Sequence, residues 1–506
     1  MLIKRFFPGV ACCAIFLTAC SDHPSLEAAA SLALKPCRIA HVDTEVKCGT
    51  LDVFENRETQ QGRKIPLNIV VLPAIARNKE PDPIFLFAGG PGQAATELAR
   101  EALTILGGLN NKRDLVLIDQ RGTGKSNGLF CKSVDANSPE MIDPAKRDAA
   151  GRKDITACRA SLETKADLTQ YTTTIAMADI DQVRAALGVE TINLWGASYG
   201  TRAAMEYLRR FDNRVRSVVI DGVAPPSLML PESFARDAGQ ALQKMFAACE
   251  GQTPCGKRHP ELKAGADALL ASLASQPRTV KIADPATGIT REIGVTREML
   301  LTALFSSLYV PEMAAMLPVL IAKARQGDYA PLMAMTAVFG DFADDKLARG
   351  MQLSVVCAED VPRIARRDPA AVQPQPFGNI FIEEFSKACA LWPKGKMAND
   401  FVQPVKSAKP VLILSGGLDP VTPPQYGDEV KKNFSNALHA VAPNVGHGVS
   451  HRGCGPRLIK KFIETASFDE LDAKCLERLP RPLFFEPLRE KATSATPKNL
   501  RNEADK

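Results

Sequence analysis

The 506-residue chain is poor in several things, and each shortage removes a class of function. Beyond the first twenty residues no stretch is apolar for long enough to span a bilayer, so the body is expected to be soluble and at most tethered. The net charge of +6 is spread without a dominant basic run, which gives no reason to expect a nucleic-acid partner. The basic stretch Arg489 to Lys506 reads as a solvated end. Thirteen cysteines include no C-x-x-C pair, and six histidines do not interleave with them at zinc-finger spacing, so no structural metal is expected. His447 and His451 stand four apart, as zinc ligands on a helix would, but Gly448 disfavours that helix and no third ligand is evident. The segment Asp119 to Ser126, DQRGTGKS, ends like a phosphate-binding loop. That loop needs a glycine five residues before Gly124, where this chain has Asp119, so the nucleotide reading fails and a tight structural loop remains. No cofactor is expected.

What is present is globular: 45% hydrophobic and 24% charged content is ample for a large core or two packed units. Lys4 and Arg5 followed by the mostly apolar run Phe6 to Leu17 read as a targeting signal. It ends in Leu17, Thr18, Ala19, Cys20, which resembles the bacterial lipobox with Cys20 as the acylated residue; an ordinary secretory peptide is the plainer reading. Residues 1–20 are therefore set apart from the fold, with 21–35 as a polar linker. Ten cysteines remain, an even number that favours disulfides in an oxidising compartment. Pairing neighbours would join Cys37 to Cys48, Cys131 to Cys158, Cys249 to Cys255, Cys357 to Cys389 and Cys454 to Cys475. This rests on short loops being easiest to close, and many other pairings are possible.

Cys37 to Asn56 and Lys64 to Leu72 look strand-rich. Short apolar strands follow at Ile84 to Ala88, Leu115 to Asp119, the segment around Leu194, Val215 to Asp221 and Val411 to Ser415, with helical stretches at Ala95 to Leu106 and Thr172 to Leu187. In the latter, Asp179 and Asp181 are expected on the polar side. Short buried strands alternating with helices imply an α/β fold, a mostly parallel, doubly wound sheet with its chemistry at the strands' carboxyl ends. The gap between the last two strands is too long for a crossover and has helical periodicity of its own. It reads as an inserted, mainly helical lid over 225–405, dividing a core of 36–224 and 406–485, with a polar tail at 486–506; a second independent domain is the competing reading.

The candidate chemistry centres on Thr191 to Thr201, TINLWGASYGT: an apolar strand, then G-x-S-x-G, then a helix-compatible run. Small residues two before and two after Ser198 suit a turn so sharp that a Cβ would collide with neighbouring elements. The base and acid should follow in the order acid, then histidine. Asp419 lies in a tight loop off the strand VLILS, and His447 stands between two glycines in APNVGHGVS; His439 and His451 are rival bases without such glycines. Gly89 to Gly92, GGPG, is the candidate oxyanion loop, with the Gly90 N–H as donor because Pro91 has none, alongside the Tyr199 N–H. The plainer reading is a glycine-rich turn.

Together GGPG, DQRGTGKS, WGASYGT, GGLDPVTPP at Gly416 to Pro424 and GHG at Gly446 to Gly448 resemble the serine exopeptidases of the prolyl aminopeptidase and tripeptidyl aminopeptidase family, within the α/β-hydrolases. The exported, cysteine-bearing, large-lidded tripeptidyl type is the nearer likeness. Ala88 departs from the histidine that prolyl aminopeptidases usually carry before GGPG, which weakens proline specificity rather than hydrolysis. The resemblance implies release of short peptides or single residues from free N-termini through an acyl-enzyme on Ser198. An esterase or lipase on small acyl esters and a catalytically silent binding lipoprotein are the rivals. A free N-terminus is a cation that must shed water to enter a covered site, so a lid carboxylate should meet it. Glu359 and Asp360, beside Cys357, are the candidates, against the reading that both are solvated surface acids.

Overall fold

The computed structural model describes residues 32–131, 138–283, 288–335, 346–364 and 376–486. The signal segment with Cys20, and residues 487–506, lie outside them.

Nine strands form one sheet in the order β1-β2-β3-β5-β4-β6-β7-β10-β11. They are β1 Lys35–Cys37, β2 Val46–Phe54, β3 Lys64–Leu72, β4 Ile84–Phe87, β5 Leu115–Ile118, β6 Ile192–Ala197, β7 Val215–Asp221, β10 Val411–Gly416 and β11 Ala437–Ala442. The first three pair antiparallel, and every pairing from β5 through β11 is parallel. The physical reason is visible in the sequence: the central strands are largely apolar, β7 with its Arg216, Ser217 and Asp221 the least so, and they are buried on both faces, as a parallel sheet covered by helices requires. Helices α1 (Ala99–Asn110), α3 (Thr173–Ala186) and α4 (Tyr199–Phe211) cross between these strands, and α2 (Pro144–Glu163) lies before α3. The expected linker is shorter than 21–35, because Leu32 N–H already donates to Ala186 O at 3.1 Å and β1 begins at Lys35.

Between β7 and β10 the chain is mainly helical, beginning with α5 (Glu232–Gly251) and including one hairpin, β8 (Arg278–Ala283) with β9 (Thr290–Val295). The inserted stretch is not one unit. Its first half closes a hydrophobic core of its own from residues such as Leu242, Leu269, Leu301 and Leu320. Its second half reaches the main core, where Met351, Val355, Cys357, Cys389 and Trp392 cluster with Leu162, Tyr171 and Met205, while Phe377 and Phe381 pack into the core of the first half. The 225–405 lid is therefore corrected to a helical cap followed by a segment that packs on both the cap and the body.

The structure joins Cys37–Cys48, Cys131–Cys158, Cys249–Cys255, Cys357–Cys389 and Cys454–Cys475. Among the described residues no helix is long and apolar enough to cross a membrane, and no group of three His, Cys, Asp or Glu is arranged to hold a metal.

Candidate active site

Ser198 stands between β6 and α4 at φ 56°, ψ −126°, a left-handed backbone that a serine keeps only where its surroundings force it, at about 1–3 kcal/mol of strain. A Cβ on Gly196 would come 2.4 Å from Gly200 O, and one on Gly200 would come 2.1 Å from Phe87 O. The flanking glycines are thus dictated by backbone packing. Tyr199 opens α4, so its N–H is one of the four that a helix leaves without an internal partner, at the positive end of the helix dipole.

The GGPG loop leaves β4 against this turn: a Cβ on Gly89 would lie 3.2 Å from Ser198 Cβ. Gly89 N–H donates to Gln93 Oε1 at 3.3 Å, and Gly90 takes φ +108°, open to glycine. The next loop, DQRGTGKS, braces it. Asp119 accepts from Thr96 N–H at 2.9 Å, Lys125 N–H at 3.1 Å and Asn68 Nδ2 at 2.8 Å. Arg121, fully buried, grips both oxygens of Asp179 at 2.6 and 2.9 Å. Asp179 is thereby corrected from the polar face of its helix to a buried ion-pair partner.

Asp419 is 2% exposed and accepts from Val421 N–H at 2.9 Å, Thr422 N–H at 2.8 Å and Thr422 Oγ1 at 2.8 Å. Its Oδ2 meets His447 Nδ1 at 2.8 Å. Burial alone would lift the Asp419 pKa, but the charge and hydrogen bond of His447, with the two amides, hold it below the ordinary aspartate value. Burial likewise works against the imidazolium, yet Asp419, aided by Asp221, leaves His447 above its usual 6.5. The cap also holds the histidine: His447 N–H donates to Tyr309 O at 3.0 Å, and the Tyr309 ring meets the imidazole edge-on at 5.2 Å. With Nδ1 on Asp419, Nε2 is the nitrogen left for a substrate-side proton. Among the described residues the Ser198 hydroxyl makes no hydrogen bond, and its residue is half-buried. The structure thus couples Asp419 to His447 directly and brings Ser198 to the same end of the sheet without a bond to them.

Glu359 and Asp360 are the correction at this site. They are 1% and 0% exposed, at the end of the helix Arg349–Glu359, and neither meets an opening. Asp360 binds Arg202 of α4 with both oxygens, at 3.2 and 3.1 Å, and Glu359 accepts from Thr173 N–H at 2.6 Å and Thr173 Oγ1 at 2.9 Å. Arg202 is itself fully buried, and a buried cation needs such a partner. Burial pushes the Glu359 carboxyl up to about 7, against the pull of Arg202. Both acids are thus taken up by buried groups of the body, Arg202 of α4 and Thr173 at the start of α3.

His439 has serine–histidine–aspartate connectivity of its own, with Nε2 2.9 Å from Ser415 Oγ and Nδ1 2.9 Å from Asp428 Oδ1. Ser415 is fully buried within β10, so no substrate carbonyl can reach it. His451 is exposed. Sequence reasoning missed Thr422, Tyr309 and Asp221. For Asp221 the available signal was a lone carboxylate at the carboxyl end of an apolar strand.

A model of the family described as alpha/beta hydrolase fold matches residues 82–452, a span that takes in Ser198, Asp419 and His447. Serine protease Hip1 of Mycobacterium tuberculosis is 23% identical over 477 residues, covering 87% of this chain and 90% of that protein. Tripeptidyl aminopeptidase of Streptomyces coelicolor is 22% identical over 477 residues, covering 86% and 84%. Carboxylesterase B of Mycobacterium tuberculosis is 26% identical over 440 residues, covering 79% and 81%.

Proposed function

The chain belongs to the alpha/beta hydrolase family, and from that premise we propose that it is a serine peptidase, an exported aminopeptidase that releases short peptides or residues from free N-termini. The observation that carries the reading is the Asp419–His447 couple at 2.8 Å beside the left-handed Ser198 turn. In this mechanism Ser198 Oγ attacks the substrate carbonyl as its proton passes to His447 Nε2, and Asp419 steadies the imidazolium. The oxyanion is met by the N–H groups of Tyr199 and Gly90. His447 then protonates the leaving amine, and water, activated by the same base, hydrolyses the acyl-enzyme. The relatives named as a serine protease and a tripeptidyl aminopeptidase support peptide over ester. The relative named as a carboxylesterase keeps small acyl esters as the alternative.

Five disulfides and the amino-terminal apolar run support export, and the Leu-Thr-Ala-Cys sequence supports a lipid anchor on Cys20 in the bacterial cell envelope. The test of substrate class compares fluorogenic tripeptides with free and with blocked N-termini against a small acyl ester. Preference for the free tripeptide in kcat/KM supports the aminopeptidase. Equal turnover of the blocked peptide, or turnover of the ester alone, refutes it.

A further inference from the structure

Asp221 ends β7, directly beside the end of the nucleophile strand, where it pairs with Ala197. Its backbone carbonyl accepts the Ser198 N–H at 2.9 Å. Its carboxylate accepts the Val449 N–H at both oxygens, at 3.0 and 2.8 Å, and the Ser450 N–H at 2.6 Å. Val449 and Ser450 are the second and third residues after His447. The one residue therefore grips the nucleophile turn with its main chain and the histidine loop with its side chain. It is 2% exposed, and burial lifts its carboxyl above the ordinary aspartate value; the Ser450 and Val449 donors and the nearby His447 work against that and favour the ionised form. The following Gly222 lies so close to the imidazole that a Cβ there would stand 3.2 Å from His447 Cε1. Ser450 is tied in turn to the nucleophile strand, its Oγ accepting from Trp195 Nε1 at 3.2 Å.

Resting on the nucleophile and base assigned above, we propose that Asp221 is a positioning residue: it sets the histidine loop in register with the Ser198 turn and supplies His447 with a second negative charge besides Asp419. The titratable groups that face the imidazole are Asp419 from the loop after β10, Asp221 from β7 and the Tyr309 phenol from the cap, with exposed His451 on the same loop. Asp221→Asn keeps the shape, removes the charge and turns an amide N–H₂ toward N–H donors. Losing a negative neighbour makes the imidazolium less stable, so His447 becomes neutral, and competent as a base, at lower pH.

The test is the second-order rate of Ser198 phosphonylation by a fluorophosphonate, followed across the acidic pH limb in the full chain, which needs no knowledge of the substrate. Asp221→Asn should label on the order of 10²-fold more slowly, the scale of a small misplacement of reacting groups, with its acid limb displaced to lower pH. The control is Asp82→Asn, another buried carboxylate, held by Arg113 and Asn193 at the opposite end of the sheet. It should lose thermal stability and leave rate and limb unchanged. A wild-type rate and limb in Asp221→Asn, or a slowing without a limb shift equal to that of Asp82→Asn, would overturn the proposal. If Asp221→Asn does not fold, Asp221→Glu carries the test, because the longer side chain displaces the carboxylate from the Val449 and Ser450 N–H groups and keeps the charge. Slower labelling at an unshifted limb supports the role, and a wild-type rate overturns it. Failure of the wild-type chain to label at Ser198 would overturn both this role and the function it rests on.

Discussion

At the residue scale, the site predicts its own pH dependence. His447 must be neutral to take the serine proton, and Asp419 and Asp221 hold its pKa above 6.5 in spite of burial. Activity should therefore fall as pH drops through a midpoint above 6.5; a kcat/KM profile whose acid limb lies below that value would contradict the assignment. Ser198→Ala and His447→Ala should each lower hydrolysis by on the order of 10⁴-fold or more with the fold retained, as judged by kcat and near-ultraviolet circular dichroism. Asp360 gives the opposite kind of prediction. Asp360→Ala takes from the buried Arg202 its hydrogen-bonded carboxylate, leaving Glu359 at 3.9 Å, and should destabilise the protein by about 3 kcal/mol in denaturant unfolding, without selectively raising KM for unblocked peptides. Ser198, Asp419 and His447 were legible in the sequence because each sits in a loop marked by glycines at fixed spacing. Asp360 was not, because its partner Arg202 lies 158 residues away and only folding brings the two together. A lone aspartate at a strand end, such as Asp221, has no spacing pattern to betray it.

At the element scale, the strands were readable because parallel strands covered on both faces are short apolar runs, and β4, β5 and β10 are of that kind. The division of the inserted segment was not readable. The helix Arg349–Glu359 is apolar whichever core it joins, and only its contacts assign it to the body. The nucleophile turn depends on glycine for steric reasons that a single change exposes. Gly200→Ala would drive a Cβ to 2.1 Å from the Phe87 carbonyl, backbone against backbone, so soluble, cooperatively melting protein should be lost. Wild-type yield and Tm in that variant would show that β4 and α4 pack less closely than described. The cap is joined to the chemistry as well, since Tyr309 O holds the His447 amide and Arg452 pairs with Glu312 at 2.7 Å. Cap and histidine loop are therefore expected to move as one.

At the scale of the whole molecule, the disulfides fasten separate parts of the chain. Cys357–Cys389 closes the longest loop of the five and pins the helix Arg349–Glu359 to the helix Ile380–Leu391. Replacing both cysteines with serine should lower stability by about 3–4 kcal/mol on the loop-entropy scale; an unchanged unfolding free energy under non-reducing conditions would count against a bridge there. The measurement that bears most directly on the central claim is peptide mapping by mass spectrometry after fluorophosphonate treatment. The predicted result is a single adduct on the peptide carrying Ser198, lost in Ser198→Ala and strongly slowed in His447→Ala. An adduct on another serine, Ser415 included, or no adduct on a folded chain, would contradict it.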